Sequence, residues 1–110
     1  MKKIYLATPY TGMEDSAFEQ VNSTAASLIK DGYCVYSPIS HWHIIAKEND
    51  LPKDWNFWAS MDKQFIEWCD DLYVLVPKEG YDKVLSSSGV QEEIEYAIKL
   101  NKTISIITNN

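Results

Sequence analysis

The sequence has no long apolar run, no excess of basic residues and no patterned cysteines, and each lack removes a class of function. No stretch approaches the roughly 18 apolar residues of a membrane span, so no membrane partner is expected. The opening MKKIYLATPY carries two lysines, but its apolar run stops at Thr8. A signal peptide needs a longer apolar region and a small-residue cleavage site. The net charge is −6, with acids spread along the 110 residues. Binding a phosphate backbone calls for a basic stripe, so no nucleic-acid polymer is expected. A small phosphorylated ligand stays open, because it needs only one local anion site. Cys34 and Cys69 stand alone, without metal-ligand spacing, and two free thiols fit a cytoplasmic protein. There is no repeat, low-complexity tract or linker.

What is present reads as one domain with one core over residues 1–110, with 45% hydrophobic and 24% charged residues. Lys3 to Thr8 is an apolar strand, closed by Pro9-Tyr10-Thr11-Gly12. Glu14 and Asp15 favour a helix start, and Phe18, Val21, Ala25, Leu28 and Ile29 recur at helical spacing up to Asp31-Gly32. Tyr33 to Ser37 is a second strand ended by Pro38, and Ser40 to Lys53 reads as irregular. Trp55 to Cys69 is a helix with a row of Phe57, Met61, Phe65 and Trp68. Leu72 to Val76 is a third strand, Pro77 to Ser88 a loop, Gly89 to Asn101 a helix and Thr103 to Thr108 a fourth strand.

This alternation predicts an α/β, Rossmann/flavodoxin-like three-layer sandwich with a mostly parallel sheet of four to five strands. Ligands of such sheets bind beyond the carboxyl ends of the strands. Three loops are thereby marked: Pro9 to Met13, Ser37 to His43 and Pro77 to Gly89.

Placed at 100° per residue, Glu93 falls inside the arc of Val90, Ile94, Ala97, Ile98 and Leu100, whereas Glu92 and Glu95 point away. It is also placed in the first helical turn, where the dipole favours an anion. Either it reacts, or it caps backbone donors at the helix start. Asp62 stands in a row with Trp58, Ile66 and Cys69, so it has a raised pKa or a partner such as a lysine. Asp70 and Asp71 read as satisfying loop backbone.

Ser86-Ser87-Ser88-Gly89 forms either an anion pocket at a helix N-terminus or an ordinary cap by Ser88. His41 and His43, taken as extended chain, share one face. No third ligand stands near them, so no metal is expected, and no cofactor is expected either; the other reading is surface or pocket-rim histidines, one of them in contact with substrate. Tyr10 either meets a ligand or packs its loop. The four tryptophans are core or interface, with one or two free to stack on a base. Their number suggests an apolar face covered by a second copy, hence a homodimer or higher homo-oligomer.

These residues together resemble the nucleoside 2-deoxyribosyltransferase superfamily, and within it a small bacterial and phage domain family of unknown function. The resemblance runs from Ile4-Tyr5-Leu6-Ala7-Thr8-Pro9-Tyr10, through Gly32 and Ser37-Pro38-Ile39-Ser40-His41, to Trp58, Asp62 and Cys69-Asp70. It continues in Leu72-Tyr73-Val74-Leu75 and ends in Ser87-Ser88-Gly89-Val90-Gln91-Glu92-Glu93-Ile94-Glu95-Tyr96-Ala97. It implies that Glu93 is the nucleophile at the anomeric carbon and that Asp62 acts near the base. It implies that Ser87 and Gly89 hold the 5′ end of the sugar, as hydroxyl or phosphate. Pro9, Tyr10, His41, Trp58 and Ser88 complete the expected substrate contacts.

The implied activity is hydrolysis or transfer of the N-glycosidic bond of a (deoxy)nucleoside or nucleoside 5′-monophosphate. The alternative is a non-catalytic protein that binds or sequesters a nucleotide derivative. In the catalytic reading the helix dipole keeps Glu93 ionised and an apolar wall keeps Asp62 protonated, so their pKa values are expected to lie apart.

Overall fold

In strand β1, Lys3–Ala7, the last four residues are buried, because helices cover both of its faces. The computed structural model describes residues 1–108; Asn109 and Asn110, which close the expected domain, lie outside the described residues. After β1 come α1 (Glu14–Lys30), β2 (Cys34–Tyr36), α2 (Pro38–Asn49), α3 (Trp55–Trp68) and β3 (Asp71–Val76). Then follow α4 (Tyr81–Ser86), α5 (Ser88–Lys99) and β4 (Thr103–Thr108). The strands form one four-stranded sheet in the order β2-β1-β3-β4, and every pairing is parallel.

Side chains alternate across the sheet with period two, and this divides the core. Leu6 and Leu75 join α1 and α2 through Val21, Trp42 and Ala46 on one face. Tyr5, Ala7, Leu72 and Val74 join α3 and α5 through Ile66, Val90 and Ala97 on the other. The result is the expected three-layer sandwich. Gly32, just past α1, has φ 96°, a left-handed value that favours glycine at a helix end. Among the described residues no helix is long and apolar enough to cross a membrane.

Two segments read as irregular are helical. Ser37 is the N-cap of α2: its Oγ accepts from the Ser40 backbone N–H at 3.2 Å, and Pro38 occupies the first turn. Proline suits that position because its missing N–H has no helical partner there. Ile39, Trp42, His43 and Ala46 are then buried at helical spacing. The expected loop from Pro77 to Ser88 contains the short helix α4, anchored by buried Val84.

The sheet order reverses at β1, which has β2 on one side and β3 on the other. At such a switch point the connections leave to opposite faces, and a crevice opens beyond the strand ends. Thr8 ties the two strand ends together there, its Oγ1 donating to the Leu75 carbonyl at 3.2 Å.

Candidate functional site

The crevice is a cavity of about 580 Å³. That size falls within the roughly 300–1,000 Å³ of small-molecule sites. Its wall is built from Thr8, Pro9 and Tyr10 after β1, from Pro38, Ile39 and Trp42 of α2, and from Lys53 to Asn56 with Asp62. The remaining side is Lys83, Ser86 to Val90, Glu92 and Glu93. Folding thus brings together Pro9, Tyr10, Asp62, Ser87, Ser88, Gly89 and Glu93. It does not bring in His41 or Trp58. His41 is exposed on α2, because consecutive helical residues rotate; His43, two residues on, is buried. Trp58 lies inside, stacked on Trp42 at 4.7 Å between ring centroids, with its Nε1 donating to the Pro52 carbonyl at 2.7 Å.

Glu93 is only 5% exposed on the buried face of α5, alongside Val90 and Ala97. The helix begins at Ser88, so Glu93 stands in the second turn rather than the first. The N-cap is Ser87, not Ser88: its Oγ accepts from the Val90 backbone N–H at 3.2 Å. A Cβ added to Gly89 would lie 3.4 Å from the Trp55 Cβ, so α5 starts tight against α3. Glu93 therefore caps nothing. The Tyr5 hydroxyl donates to its Oε2. Burial pushes its pKa up to about 8; the Tyr5 hydrogen bond opposes the rise and the nearby Asp62 adds to it.

Asp62 is 2% exposed, and among the described residues no lysine pairs with it. Burial pushes its pKa up to about 7, against the lowering effect of Trp42 Nε1 and Tyr36 Oη. Neither donor closes a hydrogen bond of regular geometry, and among the described residues Asp62 Oδ1, Trp42 Nε1 and Tyr36 Oη all lie buried without a regular partner. The expectation that the helix dipole keeps Glu93 ionised while only Asp62 is raised is corrected on this point. Both groups are raised, because desolvation outweighs a helix dipole that acts within the first turn.

Around the Tyr10 end, the hydroxyl lies 2.5 Å from His43 Nδ1, and His43 Nε2 lies 3.2 Å from Asp15 Oδ1. Phe18 stacks on the His43 ring at 4.5 Å. Burial, with Glu14 and Asp15 nearby, pushes the Tyr10 phenol up to about 12. His43 thus holds the loop after β1. Among the described residues no three His, Cys, Asp or Glu side chains gather as metal ligands.

Asp70 and Asp71 sit at the other end of the sheet. Asp70 Oδ2 accepts from the Lys3 backbone N–H at 2.9 Å, and Asp71 pairs with Lys2 Nζ at 2.7 Å. Sequence reasoning left out Tyr5 and Tyr36. The available signal for Tyr5 was a phenol inside an apolar buried strand, where its hydroxyl requires a partner.

A solved structure belonging to work on a 2-deoxyribosyltransferase from the psychrotolerant bacterium Bacillus psychrosaccharolyticus has the same fold. The likeness covers 96% of this chain and 72% of that one, with a TM-score of 0.58 and 23% identity. No curated protein matches. The family model described as a domain of unknown function (DUF1937) matches residues 2–109, and the chain belongs to that family.

Proposed function

We propose that the protein cleaves or transfers the N-glycosidic bond of a (deoxy)nucleoside or nucleoside 5′-monophosphate, with Glu93 as nucleophile and Asp62 as acid. The observation that carries this reading is the pair of buried carboxyl groups, from α5 and α3, in one cavity at the switch point. A carboxylate that attacks the anomeric carbon displaces the base and forms a glycosyl-enzyme. A protonated carboxyl on the base side supplies the proton that the departing nitrogen needs. Water then completes hydrolysis, or a second base completes transfer. The fold shared with a 2-deoxyribosyltransferase supports the same reading.

With values of about 7 and about 8, the pair carries one proton between those limits. The reactive arrangement has that proton on Asp62 and the charge on Glu93. Moving it there costs about 1.4 kcal/mol for each pKa unit between the two groups. Tyr5 stabilises the Glu93 anion, and a base nitrogen set against Asp62 favours its protonated form. Ser87, Ser88 and Gly89, with Lys83 on the same wall, are suited to the 5′ hydroxyl or phosphate. Pro9 and Tyr10 contribute the opposite wall.

The test is product analysis over nucleosides and nucleoside 5′-monophosphates. Wild type should release free base, and Glu93→Gln should bind the same compounds without releasing it. Undiminished turnover in that variant would sink the assignment. Tight binding of an intact ligand, with no base released by wild type, would establish the sequestering role instead.

A further inference from the structure

Asp62 lies between two aromatic stacks, and both are built on its own helix. Trp58, one turn before Asp62 on α3, stacks flat on Trp42 of α2, with centroids 4.7 Å apart and 4° between planes. Phe65, three residues after Asp62, stacks flat on Tyr36 of β2, at 3.8 Å and 8°. Residues at i−4, i and i+3 share a helix face, so the two stacks flank the carboxyl. Each outer ring carries one polar hydrogen, and both Trp42 Nε1 and Tyr36 Oη are buried without a regular partner. The third orphan of this region is Asp62 Oδ1. Two donors and one acceptor, from three elements, are thus left to one another.

We propose that Trp42 and Tyr36 are positioning residues for Asp62, holding Oδ1 as an acceptor so that the acid's proton rests on its other oxygen. This rests on the glycosidase reading for its purpose but not for its geometry. An indole N–H only donates, so an oxygen it faces is a poor seat for a proton. A proton on Asp62 is therefore directed to the oxygen not faced by these donors. The three groups face one another without a regular hydrogen bond, and catalytic hydrogen bonds commonly tighten when a ligand closes the site. The flat stacks fix ring planes, which leaves Asp62 little freedom to swing away from the base. The titratable groups facing this cluster are Glu93 from α5, Tyr5 from β1 and Tyr36 itself from β2, with His41 of α2 against the Tyr36 ring. Asp62 is the titratable group that α3 contributes.

The test follows the Asp62 side-chain carboxyl carbon by NMR through a pH titration of wild type, Tyr36→Phe and Trp42→Phe. Tyr36→Phe keeps the ring that stacks on Phe65 and removes only the donor, so it should retain the fold. Each variant should move the Asp62 midpoint upward by about 0.5–1 unit, because a donor that favours the anion is gone. Base release should lose kcat by about 10-fold through misplacement of the acid, with KM nearly unchanged, and the acid limb of its pH profile, which the lower-titrating Asp62 sets, should move up with the Asp62 midpoint. Unaltered Asp62 titration in both variants would overturn the proposal, as would a kcat loss with no movement of the pH profile. If wild type releases no base, the glycosidase reading fails, and the titration alone decides the positioning role. If Trp42→Phe does not fold, Tyr36→Phe decides it.

Discussion

Glu93 has lost nearly all contact with water, and one hydroxyl, that of Tyr5, answers its charge. Asp62 has lost as much and has only loose donors. For either group alone this is an unfavourable place. Together they make a pair whose singly protonated form is confined to a narrow pH range. Below about 7 both are protonated and the nucleophile is missing; above about 8 both are ionised and the acid is missing. The kcat/KM for base release should therefore follow a bell with its maximum between those values. A profile governed by one limb in the ordinary carboxylate range would contradict it. Tyr5→Phe removes the donor that favours ionised Glu93. Hydrogen bonds to charged groups contribute roughly 1.5–3 kcal/mol, so kcat/KM should fall about 10- to 100-fold at the optimum. Steady-state kinetics on the folded variant would show this, and an unchanged value would deprive Tyr5 of its part.

At the scale of elements, α2 shows both what the sequence carries and what it was denied. Its start is written in Ser37-Pro38, and its buried residues recur at helical spacing. Reading Pro38 only as the stop of β2 conceals that start, and it also puts His41 and His43 on one face. The helix separates them, sending His43 to Tyr10 and His41 to solvent. By contrast, the wheel placed Glu93 on the buried face of α5 without any fold, because a lone acid in an apolar arc shows against its surroundings. Tyr5 did not show, since a tyrosine in an apolar strand looks like core until its partner 88 residues away is known. The same limit applies to Trp42 and Trp58: the sequence left core and interface both open for them, and their stacking turns both inward. The α2 cap is testable. Ser37→Ala removes the acceptor for the Ser40 N–H and should cost about 1 kcal/mol. For a chain of this size that corresponds to a loss of about 4–8 °C in Tm. An unchanged melt would show that Pro38 and the buried face suffice to start the helix.

For the molecule as a whole, the alternation of strands and helices in sequence already implied a parallel sheet, and the order β2-β1-β3-β4 places its switch point under the cavity. The consequence for stability runs through protons. Glu93 and Asp62 have ordinary values of 4.5 and 3.8, and burial raises them to about 8 and about 7. Between those limits the folded chain keeps protons that the unfolded chain gives up. Their contribution to stability is thus complete below the ordinary values and is lost as pH rises through about 7 and about 8. Glu93→Gln removes one of the two titrating groups while leaving an acceptor for the Tyr5 hydroxyl. At pH near 5 the variant should match wild type closely, and near pH 8 it should be the more stable by on the order of 1–3 kcal/mol. Denaturant unfolding at both pH values separates the Glu93–Asp62 pair from the titrations remote from it, because those are common to the two proteins. A stability difference that does not change with pH would mean that Glu93 is not held protonated by its burial.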